Sequence, residues 1–261
     1  MLHRPSYTIG PHEVHVWHLL ADHLTDPAAL HAIYALLSPQ EQERMICLRR
    51  KRDQTLFVLA RGLIRTVLAS YLDCKCHEVR FAANDYGKPI LHADARHPPL
   101  QFNLTHSRGA AALAVSRDRE VGIDVEERQR PVEYLALARR FFAAAEARHL
   151  QELREEQRGD AFFAIWTLKE AFVKGIGRGL SFPLDAFCFD LEVNRLIRFR
   201  PLADFVSCDW QFHQFDLGER HCGALAVQNP VGSDVTIEMR NWPTAFIANN
   251  AEHGEHGGNS E

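Results

Sequence analysis

Two parts of this chain carry the same pattern, and the repetition limits the folds open to it. Each part contains a long apolar segment with helical periodicity, centred near Leu63 in one and Thr167 in the other. Roughly 45 to 55 residues after each centre comes an alanine-rich strand, at 109–116 and at 222–228. We therefore predict an α+β fold of two similar, pseudo-symmetric subdomains, each a long helix packed on a small, mostly antiparallel sheet.

The repeat also predicts how the chain is divided. The N-terminal subdomain would span residues 1–117 and the C-terminal subdomain residues 118–230. Residues 231–261 would form a C-terminal extension, whose polar and glycine-rich end is predicted to be disordered. A ligand would bind in the cleft between the two subdomains.

The composition is that of an ordinary globular protein. Of 261 residues, 46% are hydrophobic and 25% are charged, and the formal net charge is −4. This acidic balance gives no field that would attract nucleic acid. The N-terminus lacks a basic region followed by an apolar one, and no run of about 18 apolar residues occurs, so we expect neither export nor a membrane segment. The six scattered cysteines are expected to be reduced, which predicts a cytoplasmic protein.

The strongest candidate site residues lie on a predicted strand and a predicted helix. The strand alternates, so Asp124 and Glu126 share one face of it. The helix is apolar on most sides, and on it Glu170 and Lys174 are four residues apart and face the same way. Three converging carboxylates would form an oxygen-only site, which suits Mg²⁺ better than zinc. The alternative is a solvent-facing strand and a surface ion pair.

A basic segment could form the other wall of the cleft. Between Glu41 and Arg65, seven basic residues, Arg44 and Arg61 among them, stand against three acidic ones, a local charge of +4. Such a segment is a candidate anion-binding face in an acidic chain, although charge runs are often only solvated helix faces. His106, next to Thr105 at the end of a predicted strand, is a candidate phosphate contact.

This inventory favours one class of chemistry. The sequence has no nucleophile elbow, no Walker loop and no dinucleotide-binding glycine motif. A protein with clustered carboxylates, a lysine beside them and a basic wall suits metal-assisted transfer of a phosphoryl-type group, in which positioning and charge neutralisation carry most of the catalysis.

Five motifs in this order resemble one family, the 4′-phosphopantetheinyl transferases of the larger, two-halved type that activates nonribosomal peptide and polyketide synthetases. They are Tyr86–Pro89 (YGKP), Phe102–Ser107 (FNLTHS), Val121–Glu126 (VGIDVE), Arg140–Phe142 (RFF) and Trp166–Lys174 (WTLKEAFVK). The resemblance covers about residues 14 to 230. It implies transfer of phosphopantetheine from coenzyme A to a serine of an acyl or peptidyl carrier protein.

The resemblance also implies roles for individual residues. The metal ligands would be Asp124, Glu126 and Glu170, holding Mg²⁺, or Mn²⁺ in its place, on the coenzyme A pyrophosphate. Lys174 would contact the reacting phosphate, with Lys169 nearby. The serine proton would pass to Glu146, to Glu126 or to a water on the metal.

The remaining implied contacts bind the nucleotide part of coenzyme A. Thr105, at a position where serine is usual, and His106 would bind the 3′-phosphate, Lys88 and Pro89 would lie against the adenine, and Arg44 and Arg61 would complete the phosphate pocket. Two fused halves imply that a monomer can form a complete site. A non-catalytic protein that binds coenzyme A or a carrier protein, and a metal-dependent nuclease, are the alternative functions.

Overall fold

Two long helices, each packed on an antiparallel sheet, dominate this computed structural model. The structure describes residues 6–24, 26–92, 99–191, 197–204, 206–207, 209–230 and 232–242. The elements of the first half are β1 (Glu13–Leu20), α1 (Pro27–Tyr34), α2 (Pro39–Ile46), α3 (Lys51–Tyr71), β2 (Phe81–Ala83), β3 (Pro89–Leu91), β4 (Leu100–Ser107) and β5 (Ala110–Arg117). Those of the second half are β6 (Val121–Glu127), α4 (Tyr134–Phe141), α5 (Ala144–Glu152), α6 (Glu155–Ile176), β7 (Phe187–Leu191), β8 (Ile197–Pro201), β9 (Trp210–Leu217) and β10 (His221–Gln228). A last strand, β11 (Thr236–Asn241), follows them.

The two halves repeat one topology. The strand order is β1-β5-β4 in the first half and β6-β10-β9 in the second, and all of these neighbours are antiparallel. In each half a long helix and a two-stranded hairpin, β2–β3 or β7–β8, precede the last two strands. The predicted α+β fold with two pseudo-symmetric halves is confirmed, and the alanine-rich segments of the sequence form the central strands β5 and β10.

The apolar residues form layers that follow from this topology. One cluster packs α3 against the β1–β5–β4 sheet, and two others pack α6 against the second sheet and against α4 and α5. A fourth cluster joins the two sheets face to face, and its buried members all come from strands, such as Val16 on β1, Ala112 on β5 and Ile123 on β6. Small side chains on β5 let the sheets approach closely, which brings β4 beside β6.

Local sequence sets the beginnings and ends of the helices. Asp26 caps α1 by accepting from the Ala28 amide, and Ser38 forms a reciprocal capping box with Glu41 at the start of α2. Gly177, with φ of 65°, ends α6 in the left-handed conformation. Among the helices that the structure describes, none is both long enough and apolar enough to span a membrane.

Three segments differ from what the sequence predicts. The strand predicted near Glu78 to Ala82 begins later than expected. Residues 76–78 form a helical turn, and β2 begins at Phe81. The charged stretch 152–160, predicted as an exposed loop or helix end, mostly forms the first turns of α6. The extension after residue 231 contains β11, which pairs in parallel with β1. Trp242 then anchors it, because its indole N–H donates to Thr66 Oγ1 at 2.9 Å. The predicted disordered end, from Asn249, lies outside the described residues.

Strand β6 and helix α6 touch backbone to backbone at Gly122. A Cβ at this position would lie 2.0 Å from the Ala171 carbonyl oxygen and 2.2 Å from the Gly175 nitrogen. Backbone atoms cannot shift to relieve such contacts as a flexible side chain can, so only glycine fits. The close approach places Asp124, two residues later on β6, against the last turns of α6.

We expect Gly122→Ala to separate β6 from α6 and to destabilise the fold by about 3 kcal/mol, the upper range for overpacking. The melting temperature should fall by roughly 10 °C, which differential scanning calorimetry would measure. Gly159→Ala, on helix α6, is the control, since its Cβ would meet only the side chain of Tyr134, with the hydroxyl nearest at 3.3 Å, and alanine favours helix there. An equal melting temperature for Gly122→Ala and wild type would contradict this account of the contact.

Candidate active site

Strands β4 and β6 and helix α6 meet around Asp124, a buried carboxylate. Its side chain is only 6% exposed. Lys174 Nζ lies 2.5 Å from Asp124 Oδ1, and Thr105 Oγ1 donates to the same oxygen at 3.2 Å. The ammonium also donates to Thr105 Oγ1 at 3.2 Å. The predicted convergence of the strand and the helix is therefore present, and the ion pair is not on the open surface.

The second carboxylate of the strand points into the same region. Glu126 Oε2 accepts from Ser107 Oγ at 2.8 Å, and Arg130 Nη1 lies 3.2 Å from Glu126 Oε1. Glu170 is half-buried one helical turn before Lys174 and shares its face of α6. Ser107 and Arg130 had no role in the sequence prediction.

The electrostatics show that negative charge is in excess here. Burial raises the pKa of Glu126, and the Asp124 carboxylate raises it further. Burial and then Asp124 likewise raise the pKa of Glu170. Burial alone would lower the pKa of Lys174, but Asp124, helped by the two glutamates, outweighs it and raises that pKa. Lys174 is thus a cation of the site, and together with Arg130 it sets two positive charges against three carboxylates.

The donor set fits a hard divalent cation. Within the described residues, no three carboxylate, imidazole or thiol side chains are already gathered at ligating distance. In this arrangement Lys174 binds one oxygen of Asp124, and Ser107 and Arg130 bind the carboxylate of Glu126. The other oxygen, Asp124 Oδ2, is buried and has no hydrogen-bond partner among the residues that the structure describes. Such an atom is costly unless something compensates it. A cation bound by oxygen ligands would satisfy Oδ2 and relieve the repulsion among the carboxylates.

A basic cavity of about 410 Å³ lies in the first half. Its walls include four arginines, one glutamate and several apolar side chains, namely Arg44, Arg61, Arg65, Arg80, Glu41, Phe57, Phe81 and Pro89. Glu41 balances part of this charge, because its carboxylate lies 2.9 Å from Arg65 Nε and 3.7 Å from Arg61 Nη1. The predicted pair Arg44 and Arg61 therefore lines one cavity, to which the structure adds Arg80. A bound anion would compete with Glu41 for these guanidinium groups.

His106 lies close enough to Lys174 and to Arg61 for both charges to act on its ring. The surrounding protein desolvates its ring and so lowers its pKa, and the charges of Lys174 and then Arg61 lower it further. The imidazole is therefore neutral at pH 7 in the free protein. An anion bound between these groups would reverse that balance, because negative charge favours the imidazolium.

A second, more apolar cavity of about 370 Å³ lies beside the predicted site residues of α6. It is lined by Tyr86, Glu170, Val173 and Lys174, and Pro89 lines both cavities. A third cavity of about 410 Å³, near Arg128 and Cys222, contains none of the predicted site residues.

The ammonium group of Lys88 forms contacts within the protein that the sequence does not predict. Its ammonium lies 2.7 Å from Glu120 Oε2 and donates to the Gly175 carbonyl at 2.7 Å. The lysine thus ties the β2–β3 hairpin to the end of α6. A contact with a nucleotide base would have to use the aliphatic part of the side chain, which lines the second cavity.

Glu146 and Lys169 pair with each other in the protein interior, and the catalytic roles expected for them stay predictions. Lys169 Nζ lies 2.8 Å from Glu146 Oε2, and the side chains are 0% and 3% exposed. Lys169 also donates to the carbonyls of Leu184 and Phe187, while Glu146 accepts from the amides of Ala143 and Phe189. Burial lowers the pKa of Lys169 and raises that of Glu146. Both are fully partnered away from solvent, so the pair acts as a buried structural link.

Comparisons with known proteins agree with this arrangement. Residues 25–118 match the family model "4′-phosphopantetheinyl transferase, N-terminal". Residues 120–226, which carry Asp124, Glu170 and Lys174, match the model of the "4′-phosphopantetheinyl transferase superfamily".

Several relatives match over most of their length. The transferase Sfp of Bacillus subtilis is 31% identical over 78% of this chain and 88% of Sfp. The transferase HetI of a Nostoc species is 34% identical over 68% of this chain and 74% of HetI. The human L-aminoadipate-semialdehyde dehydrogenase-phosphopantetheinyl transferase is 29% identical over 80% of this chain and 73% of the relative. The chain therefore belongs to the 4′-phosphopantetheinyl transferase superfamily and is an enzyme of that class, which transfers phosphopantetheine from coenzyme A to carrier proteins.

Proposed function

We propose that this enzyme modifies a serine of an apo acyl or peptidyl carrier protein and that it requires Mg²⁺, which Mn²⁺ can replace. The observation that carries the proposal is the unpartnered, buried Asp124 Oδ2 beside Lys174, next to a basic cavity and an apolar one that share Pro89. Coenzyme A has matching parts, because it carries a pyrophosphate, a separate 3′-phosphate and an adenine.

In this proposal the metal ligands are Asp124, Glu126 and Glu170. When bound, Mg²⁺ would neutralise charge on the pyrophosphate oxygens. The protein's part is to present the carboxylates ionised, and their raised pKa values set the pH at which this happens. As the pH is lowered, the affinity for the metal should therefore begin to fall at a higher pH than it would if these glutamates had ordinary pKa values.

Lys174 would act at the reacting phosphate. Its raised pKa keeps the ammonium charged, so it can donate to a phosphoryl oxygen as negative charge moves to the leaving group. The serine oxygen forms a bond to phosphorus as the bond to adenosine 3′,5′-bisphosphate breaks. The serine proton must leave in the same step, and the half-buried carboxylate of Glu126 would accept it.

The basic cavity would hold the 3′-phosphate. Arg44 and Arg61 line it, and His106 lies close enough to Arg61 for that charge to lower its pKa. Pro89, common to both cavities, would lie against the adenine. The nucleotide would then span from the first half to the carboxylates of the second.

His106→Ala should raise the KM for coenzyme A about tenfold, because a charge-assisted hydrogen bond to the 3′-phosphate is worth about 1.5–3 kcal/mol. The KM for 3′-dephospho-coenzyme A should change little. Steady-state kinetics with both substrates would measure this, and His149→Ala, an exposed histidine outside the cleft, is the control. Equal losses on both substrates would remove His106 from the 3′-phosphate site.

The function itself is tested by intact-mass spectrometry. A panel of apo acyl and peptidyl carrier proteins would be incubated with the enzyme, coenzyme A and Mg²⁺, with and without EDTA. We expect one phosphopantetheine to be added to at least one carrier, and EDTA to prevent it. Binding of coenzyme A without modification of any carrier would instead support a non-catalytic binding protein.

Two further properties belong to this proposal. A single chain carries both walls of the cleft, which supports a monomeric enzyme. Cys47, Cys188 and Cys222 are free thiols, which supports a location in the reducing cytoplasm.

A further inference from the structure

Strand β4 of the first half reaches across to strand β6 of the second through three alternate side chains. Asn103 Oδ1 accepts from the Ile123 amide at 2.9 Å. Two and four residues later, Thr105 and Ser107 donate to carboxylates of β6. A spacing of two residues places all three on one face of a strand, so β4 offers β6 an ordered row of polar groups.

Each hydroxyl engages one oxygen of its carboxylate. Thr105 Oγ1 donates a hydrogen bond to Asp124 Oδ1 at 3.2 Å. The other oxygen, Oδ2, is buried and has no partner within the described part of the chain. Ser107 Oγ donates a hydrogen bond to Glu126 Oε2 at 2.8 Å. Thr105 is 4% exposed, so no water need compete for its hydrogen bond. The hydroxyls thus fix the rotation of both carboxyl groups before any ligand arrives.

We propose that Thr105 and Ser107 are positioning residues that hold Asp124 and Glu126 in the orientation that binds the divalent cation. The proposal rests on the metal site of the proposed function. It gives Thr105 a role different from the 3′-phosphate contact expected from the sequence, because its hydroxyl is already engaged by Asp124 and Lys174. It also makes the metal site a product of both halves, although all its ligands lie in the second.

The physical reason is preorganisation. A carboxyl group that is free to rotate must lose that freedom when it binds a metal, whereas a hydrogen-bonded one is already oriented. Removing such a supporting hydrogen bond typically costs 10–100-fold in metal affinity. The conservative exchanges Thr105→Ser and Ser107→Thr keep a hydroxyl and should keep most of the affinity.

The test is Mn²⁺ binding to the full-length protein, measured by electron paramagnetic resonance without coenzyme A or carrier. Thr105→Val and Ser107→Ala should each weaken binding by about 10–100-fold, while Thr105→Ser and Ser107→Thr should stay near wild type. Ser207→Ala is the matched control, since Ser207 also donates to a carboxylate, that of Asp209 at 3.2 Å, on the surface. Because Ser107 is only half-buried, Ser107→Ala remains informative even if Thr105→Val does not fold.

A second measurement separates the two roles open to Thr105. If it positions Asp124, Thr105→Val should lower kcat/KM equally for coenzyme A and for 3′-dephospho-coenzyme A. A loss confined to coenzyme A would assign Thr105 to the 3′-phosphate and overturn its positioning role. Unchanged Mn²⁺ affinity in both variants of an active enzyme would overturn the whole inference and leave the proposed function standing. A wild-type protein that neither binds Mn²⁺ nor transfers phosphopantetheine would overturn both.

Discussion

Asp124→Asn should lower kcat/KM for carrier modification by about 10³-fold, the scale on which catalysis depends on a preorganised charged group. Asparagine keeps the shape and the hydrogen bond from Thr105 but removes the charge that holds the cation and the ammonium of Lys174. The assay is the rate of holo-carrier formation at saturating Mg²⁺. Retention of more than a tenth of the activity would exclude Asp124 as a metal ligand.

Two controls separate this effect from a loss of structure. Asp160→Asn changes a carboxylate that is 75% exposed and should leave the rate unchanged. In Asp124→Asn itself, the pKa values of Glu126 and Glu170 should both fall, because the Asp124 charge contributes to raising each of them. Carboxyl-detected NMR titration of the folded variant would measure the shifts. Unchanged pKa values would show that the three carboxylates are not coupled as the structure indicates.

The parts of the site that the sequence predicts are those in which local periodicity decides the geometry. Alternation along β6 is enough to place Asp124 and Glu126 together, and the four-residue spacing on α6 is enough to align Glu170 with Lys174. Their apolar neighbours also show that both elements are buried. The repeated helix and strand pattern then predicts two halves and the cleft between them.

The parts that the sequence did not predict depend on contacts between distant residues. Lys169 and Glu146 are 23 positions apart, and nothing in either neighbourhood shows that they pair with each other. Strand β11 was missed although Ile237 and Met239 alternate with polar residues along it, because the segment is short and mostly exposed. Its position depends on β1 and on a pocket for Trp242 that only the folded first half provides.

One signal for the missed residues was present in the sequence. The motif Phe102–Ser107 predicts a strand that leads to His106, and the same alternation places Asn103, Thr105 and Ser107 together on its other face. Three hydrogen-bonding side chains in a row on a strand predict polar partners on the neighbouring element. The carboxylates of β6 are those partners, so the alternation of one strand explains the placement of charge on the other.

Two lysines of α6, five positions apart, offer the sharpest test of whether burial separates a structural role from a catalytic one. Lys174→Met should lower kcat by about 10²–10³-fold and change the KM for coenzyme A little, because the ammonium acts mainly on charge that develops in the transition state. Lys169→Met should instead destabilise the fold by about 3–5 kcal/mol, since it leaves the Glu146 carboxylate buried without its cation. Kinetics and calorimetry on both variants would measure the two effects.

A loss for Lys174→Met that lay entirely in KM would make it only a binding residue. Normal stability with lost turnover in Lys169→Met would return that residue to the reacting centre.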